Sequence, residues 1–305
     1  MQNLYIKNRK EIGENKEMMC DLHIHTNCSD GGLDPSLILE KAVQDGVKIL
    51  SITDHNNIDA YSILKNVAHG DILIINGVEC DVKFQDKDLH ILMYGFDLEN
   101  KHIKQFFGKI RKDDISSFRK MLKEVCQKHS LNISEKDILK FEKDNVYFDK
   151  VRLNNFLFSL GYATSPREAF NLFTKDIVEK KRKQVTAEEF FKLAKHCNAI
   201  TMLAHPMKYT ENKNDLNEIK SLILELQKIG LTGIEVFNNR QTKMNQEDLF
   251  KFAKENNLEY GAGSDFHCKI GVQEEKEIGH VLSQKITLNM FSPSLIKTFL
   301  LSYKK

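Results

Sequence analysis

The segment Asp21-Leu22-His23-Ile24-His25-Thr26-Asn27-Cys28-Ser29-Asp30 carries two histidines two residues apart and an acid on the turn that follows. Side chains on a strand alternate with a period of two, so His23 and His25 share one face of a short strand. Paired imidazoles suit Zn, Fe or Mn, and an added carboxylate shifts the preference towards harder divalent ions. The same grammar recurs: a short apolar run leads into side chains of metal-ligand type. Residues 49–53 lead to Asp54 and His55, residues 200–204 to His205, and residues 258–263 to Asp265 and His267. Residues 72–78 end at Glu79, and His90 falls within an apolar run over 89–94. The remaining histidines (His69, His102, His129, His196 and His280) lie in polar or helical surroundings and read as surface residues. Packing gives core strands no use for imidazoles and acids at their tips. Open α/β sheets and barrels collect their sites at the carboxyl ends of strands, so these tips are expected to converge.

The elements needed to position them are legible in outline. Asp34-Pro35 reads as an N-cap followed by a first-turn proline, with an apolar stripe of Leu37, Ile38, Ala42 and Val43 and a stop at Gly46. A buried strand over 47–53, a helix over about 60–68 and a strand over 72–76 follow, and such alternation argues for a parallel sheet or barrel. From residue 99 the chain turns rich in Lys, Phe, Leu and Glu. Phe118, Met121, Leu122 and Val125 mark one helical face; Phe156, Leu157 and Leu160 mark another, stopped by Gly161. The expectation is a helical insertion over 99–185, packed over the mouth of an α/β domain formed by 1–98 and 186–305. The basic run Lys180-Lys181-Arg182-Lys183 reads as a solvated surface. Helices over about 187–197, 216–229 and 246–256 then alternate with strands before His205, over 233–237 and before Asp265. Residues 3–7 read as a strand in a polar leader without a secretory apolar region.

The chain has 305 residues and a formal charge of +2, which gives no warrant for binding a DNA duplex or docking on a membrane. No apolar run approaches the length of a membrane span. Six cysteines without C-x-x-C pairing indicate a reduced, cytoplasmic protein. Cys28, Cys80 and Cys268 adjoin the candidate residues and read as small buried apolar groups rather than ligands.

Taken together, Asp21-Leu22-His23-Ile24-His25-Thr26 with Ser29-Asp30-Gly31, Thr53-Asp54-His55, Gly77-Val78-Glu79, residues 90–96, Ala204-His205-Pro206, Gly233-Ile234-Glu235-Val236 and Gly263-Ser264-Asp265-Phe266-His267 form an ordered set. This set resembles the polymerase and histidinol phosphatase (PHP) family of metal-dependent phosphoesterases. The resemblance implies an α/β fold, a distorted (β/α)7 barrel of PHP type, with three divalent metal ions (Mn, Fe or Zn) at the strand ends. The ligands it implies are His23, His25, Asp30, His55, Glu79, His90, His205, Asp265 and His267. Glu79 is the bridging candidate, because a carboxylate has two oxygens to offer.

Within the family the chain resembles the branch acting on nucleotide phosphates, including 3',5'-bisphosphonucleotides and the 5' ends of short RNAs. The insertion and the run from Arg152 through Gly161-Tyr162 to Ala169-Phe170 carry that likeness. Asn154 stands where the branch usually has His, and Cys197-Asn198-Ala199 where it usually has small glycines. The implied mechanism is direct attack on phosphorus by a metal-bridging hydroxide, with Arg152 neutralising phosphoryl charge and Asp54 orienting a ligand histidine or the nucleophile. Lys208, Asn238 and Arg240 follow strand ends. Arg240 joins Arg152 and Asn154 as a substrate contact, with a loop-surface reading kept beside it, and Glu235 is either an acceptor behind the ligands or a structural partner. The implied partners are a small phosphate ester, a nucleotide or a short RNA. Histidinol-phosphate phosphatase, a broad phosphomonoesterase acting on AMP, and a metal-dependent amidohydrolase are the alternatives.

Overall fold

The computed structural model describes residues 15–65, 67, 72–144, 146–173, 184–210, 216–268 and 276–302. Strands β1 (Cys20–Ile24), β2 (Ile49–Ile52) and β3 (Leu73–Ile74) form a parallel sheet in that order, linked by helices α1 (Pro35–Gln44) and α2 (Ala60–Leu64). The Asp34 side chain accepts from the Ser36 amide (2.8 Å) and Pro35 opens α1, as the residue types dictate. The buried face of α1 is Ile38, Leu39 and Ala42, whereas Leu37 and Val43 are each 50% exposed. That corrects the expected stripe: neighbouring positions on a helix diverge by about 100°, and Leu39 occupies the inward place. Helix α2 ends at Leu64; Ala68, His69, residues 3–7 and the basic run 180–183 lie outside the described residues.

The chain continues through β4 (Gly77–Phe84), β5 (Lys87–Tyr94), helices α3 (Lys101–His129), α4 (Glu135–Asp144), α5 (Lys150–Ser159) and α6 (Pro166–Phe173), then β6 (Val185–Thr186) and α7 (Ala187–His196). It closes with β7 (Ile200–Leu203), α8 (Asn217–Ile229), β8 (Gly233–Phe237), α9 (Lys243–Glu255), β9 (Glu259–Ala262), the hairpin β10 (His280–Val281) and β11 (Gln284–Lys285), and α10 (Pro293–Ser302). Capping boxes at Thr186/Glu189 and Thr242/Asn245 start α7 and α9, the latter three residues before the apolar pattern suggested. The second sheet has the order β6-β4-β5-β7-β8-β9.

One expectation fails here. Glu79 does not end a strand that begins at residue 72: β3 stops at Ile74, and Glu79 lies inside β4. β4 and β5 form an antiparallel hairpin that pairs Asp81 with His90, and β5 is also antiparallel to β7. The chain reverses at Gln85, which has a left-handed φ of 53°, so the hairpin interrupts the parallel order that the strand–helix alternation suggested.

Parallel bridges join Ile24 to Phe266 and His55 to Glu79, reinforced by hydrogen bonds from His25 N to Phe266 O (2.9 Å) and Asn56 N to Glu79 O (2.8 Å). These stitches close the strands into the ring β1-β2-β4-β5-β7-β8-β9, a distorted barrel as expected. The pairing register of β1 against β2 shifts between Asp21 and Ile24, while its side chains keep alternating. Cys20 and Leu22 join an apolar cluster with Ile49, Leu92, Tyr94, Phe291, Leu295 and Phe299, while His23 and His25 reach a polar centre. Alternation lets one strand supply both the core and the site.

Contacts divide the chain into two compact units, one of residues 1–104 and 185–305, the other of residues 105–184. The second has its own core, built on Phe118, Met121, Leu122, Val125, Leu153, Phe156 and Leu157. Its surface is tied by Arg119, which donates to both oxygens of Glu142 (2.5 and 2.9 Å).

Candidate metal centre

Glu79 is the hub of the polar centre. Its Oε1 lies 3.0 Å from both His90 Nδ1 and His205 Nε2. Its Oε2 lies 3.1 Å from His25 Nε2 and 3.3 Å from both His23 Nε2 and His55 Nε2. A second node is Asp30, whose Oδ1 is 3.2 Å from His267 Nε2 and 3.5 Å from His25 Nδ1. A third is Asp265, whose Oδ1 is 3.5 Å from the Nε2 atoms of both His23 and His25. All nine residues expected as ligands therefore gather in the first unit. Among the described residues they form four overlapping groups, each with potential ligand atoms within 4.8 Å of one another: His25/Asp30/His55/His267, His23/His25/Asp265, His23/Glu79/His205 and His55/Glu79/His90. No cysteine joins these groups among the described residues.

Backbone geometry aims several of these side chains. His205 follows β7 with φ of 31° and Asp265 follows β9 with φ of 55°. Left-handed backbone costs a residue with a Cβ roughly 1–3 kcal/mol and persists where surrounding contacts hold it. Glu235 on β8 holds His205 through its amide (2.7 Å) and His23 through Nδ1 (2.8 Å). Asp21 accepts from the amides of Ser264 (3.0 Å) and Gly279 (2.7 Å), fixing the loop that presents Asp265. The Tyr209 hydroxyl accepts from the His90 amide (2.8 Å) and lies 3.4 Å from His205 Nδ1.

Asp54, expected to orient a ligand histidine or the nucleophile, is buried beside the loop that carries Asp30. Its carboxylate accepts from Thr26 N (2.7 Å), Thr26 Oγ1 (2.6 Å) and Ser29 Oγ (2.5 Å). These bonds shape the loop between His25 and Asp30. It sits one residue too early to share the face of His55.

Electrostatics follow from the crowding. Burial opposes charge on Glu79, but His55, His23 and His90 outweigh it and hold the carboxyl well below its usual range. Burial likewise pulls His55 down, yet Glu79 and Asp81 raise it to about 10. His23 and His25 are raised against the same burial, His23 by Glu235 and Glu79, His25 by hydrogen bonds to Asp265 and Glu79. In His205 and His267 burial wins and the imidazole is lowered, with His25 adding to the effect at His267.

The centre fits divalent cations. Glu79 Oε2 is buried and accepts no hydrogen bond, although three imidazole nitrogens surround it within 3.3 Å. A cation between such donors would satisfy it, and a mixed set of imidazole nitrogens and carboxylate oxygens suits first-row divalent metals.

Of the expected substrate contacts, Arg240 reaches the centre, with Nε 4.0 Å from Asp265 Oδ2. Arg152 and Asn154 belong to the second unit, on α5. The Arg152 amide is capped by Asp149, and the Asn154 side chain is 2% exposed. Lys208, read as loop surface, places Nζ 3.1 Å from His90 Nε2. Lys276 and Asp81 were not among the residues expected at the centre. Lys276 Nζ donates to Asp265 Oδ2 (2.7 Å) from eleven residues downstream, and Asp81 lies 3.1 Å from His55 Nδ1. Alternation from Glu79 along β4 would have put Asp81 on the same face.

A barrel with clustered imidazoles and carboxylates at its strand ends defines a metal-dependent hydrolase centre. The family model described as the PHP domain matches residues 21–238. The 5'-3' exoribonuclease of Haemophilus influenzae is 25% identical over 270 residues, covering 82% of this chain and 90% of its own. The 3',5'-nucleoside bisphosphate phosphatase of Chromobacterium violaceum is 23% identical over 269 residues, with coverages of 85% and 90%. A solved structure of a presumptive metal-dependent phosphoesterase from Bifidobacterium adolescentis superposes with a TM-score of 0.66 at 20% identity, covering 93% of this chain and 96% of its own. The chain belongs to the PHP domain family and is a metal-dependent phosphoesterase.

Proposed function

We propose that the protein hydrolyses phosphate esters of nucleotides or of short RNA 5' ends, with His23, His25, Asp30, His55, Glu79, His90, His205, Asp265 and His267 holding up to three divalent ions. The observation that carries this reading is Glu79, whose two oxygens face different sets of imidazoles: His90 and His205 on one side, His23, His25 and His55 on the other. Divalent ions bound there would polarise phosphoryl oxygens and acidify water for attack on phosphorus.

The chain's own residues supply the remainder. Arg240 and Lys208 stand at the centre with positive charge for a phosphoryl group, and an arginine's planar fork matches phosphate oxygens. Glu235 fixes the ring of His23, so that Nε2 faces the centre. The nucleotide and RNA assignment draws on the relatives, one named as an exoribonuclease and another as a nucleoside bisphosphate phosphatase.

Elemental analysis of the purified protein and a phosphate-ester panel under Mn, Fe and Zn test this. The panel holds a 3',5'-bisphosphonucleotide, a 5'-phosphorylated RNA oligomer, AMP and histidinol phosphate. Phosphate release from the bisphosphonucleotide, or mononucleotides from the RNA, is the expected result. A metal-loaded protein that cleaves only histidinol phosphate, or none of these, overturns it.

A further inference from the structure

Asp81 lies outside the nine residues assigned above, yet it faces the centre from inside the β4–β5 hairpin. Its Oδ1 is 3.1 Å from His55 Nδ1 and 3.7 Å from His90 Nε2. The His55 contact is an ion contact rather than an aligned hydrogen bond. Asp81 is itself clipped by Asn56, which donates from Nδ2 to Asp81 Oδ2 (2.6 Å) and accepts the Asp81 amide at Oδ1 (3.0 Å). Asn56 adopts φ of 55°, a left-handed turn, and its own amide donates to Glu79 O (2.8 Å). The unit Asn56–Asp81 thus ties the loop after β2 to the hairpin that brings Glu79 and His90.

The two ring nitrogens of His55 are divided between the two carboxylates. Nε2 looks inward, 3.3 Å from Glu79 Oε2, and Nδ1 looks outward to Asp81. A carboxylate on the outer nitrogen keeps the proton there, leaves the inner lone pair for a cation and makes the ring a stronger donor. We propose that Asp81, held by Asn56, is a positioning residue that orients His55 and tunes its affinity for the divalent ion shared with Glu79 and His90. The inference rests on His55 being a metal ligand.

The test strips the protein with a chelator and titrates it with Zn²⁺ against a chromogenic competitor, then with Co²⁺ followed by visible absorption. Asp81→Ala weakens one binding step by about ten- to a hundredfold, the usual cost of losing a partner behind a ligand, and leaves the other steps in place. Asp81→Asn, which keeps an acceptor but not the charge, falls between Asp81→Ala and the parent and shifts the Co²⁺ band of that step. Asn56→Gly removes the clip without a backbone penalty, because glycine accepts positive φ, and weakens the same step. In a His55→Ala background, Asp81→Ala adds nothing further.

Unchanged Zn²⁺ affinity and an unchanged Co²⁺ spectrum in Asp81→Ala overturn the proposal, as do additive losses in the double variant. If Asp81→Ala does not fold, unchanged binding by Asn56→Gly overturns it alone. A parent protein that takes up no divalent ion would instead sink the reading of the centre itself.

Discussion

His23 Nδ1 lies 2.8 Å from Glu235 Oε1 across 212 residues of sequence, and both side chains are buried. The pair joins β1 to β8 past the intervening β9 and leaves His23 Nε2 pointed at Glu79. Glu235→Gln keeps the shape and removes the charge. Divalent-ion affinity is expected to fall about ten- to a hundredfold, read by competition with a chelator. Affinity equal to that of the parent would show that Glu235 only braces the His205 amide.

Metal uptake should release protons. Glu79 and Asp81 push His55 up to about 10 against its burial, and the neighbouring carboxylates also raise His23 and His25. A proton on an inward ring nitrogen competes with the cation for the same lone pair. Affinity therefore rises with pH up to the raised imidazole values and falls as pH drops, because more protons compete. Calorimetry of Zn²⁺ binding in buffers of different ionisation enthalpy measures the release. Heats independent of the buffer would contradict it.

Gly263 has no room for a side chain. A Cβ there would sit 2.2 Å from His23 Cβ and 2.7 Å from Glu235 Oε1. The first of these atoms is fixed to the backbone of β1 and cannot rotate away. Gly263→Ala is expected to cost roughly 1–3 kcal/mol through overpacking and to misplace His23. A lower melting temperature together with lower metal content is the expected pair of results. A parent-like melt would mean that the loop after β9 moves without strain.

Arg240 is half exposed and approaches Asp265 only to 4.0 Å, so its removal leaves the ligands in place. Loss of one charged contact to phosphate is worth about 1.5–3 kcal/mol, roughly ten- to a hundredfold in kcat/KM. For Arg240→Ala the expected result is that loss, mainly through KM, with metal content unchanged by elemental analysis. Unaltered kinetics on every phosphate ester would remove Arg240 from substrate binding.

Much of the centre was legible because most candidate residues are announced locally, Glu79 and His90 inside the hairpin being the exceptions. His23 and His25 share a strand face, His55 and His205 follow apolar runs, and Asp265-Phe266-His267 follows Gly263. Burial of apolar strands forces such polar residues to the ends, so residue type and position identify them without any knowledge of contacts. The hairpin was not legible. A parallel strand after a helix and an antiparallel return both begin as apolar runs, and only pairing decides between them.

Partnership across the barrel is likewise a property of closure. Glu235 with His23, Lys276 with Asp265, and Asp81 with His55 are hydrogen-bond or ion-pair distances between segments with no local relation. The residue string names the groups able to ligate and the apolar runs that carry them. Which oxygen faces which imidazole depends on the register of β1 against β2, on β4 folding back at Gln85, and on the stitches at Phe266 and Glu79 that close the ring. Those are outcomes of packing the whole chain at once, because each strand's register is set by neighbours that lie far away in sequence.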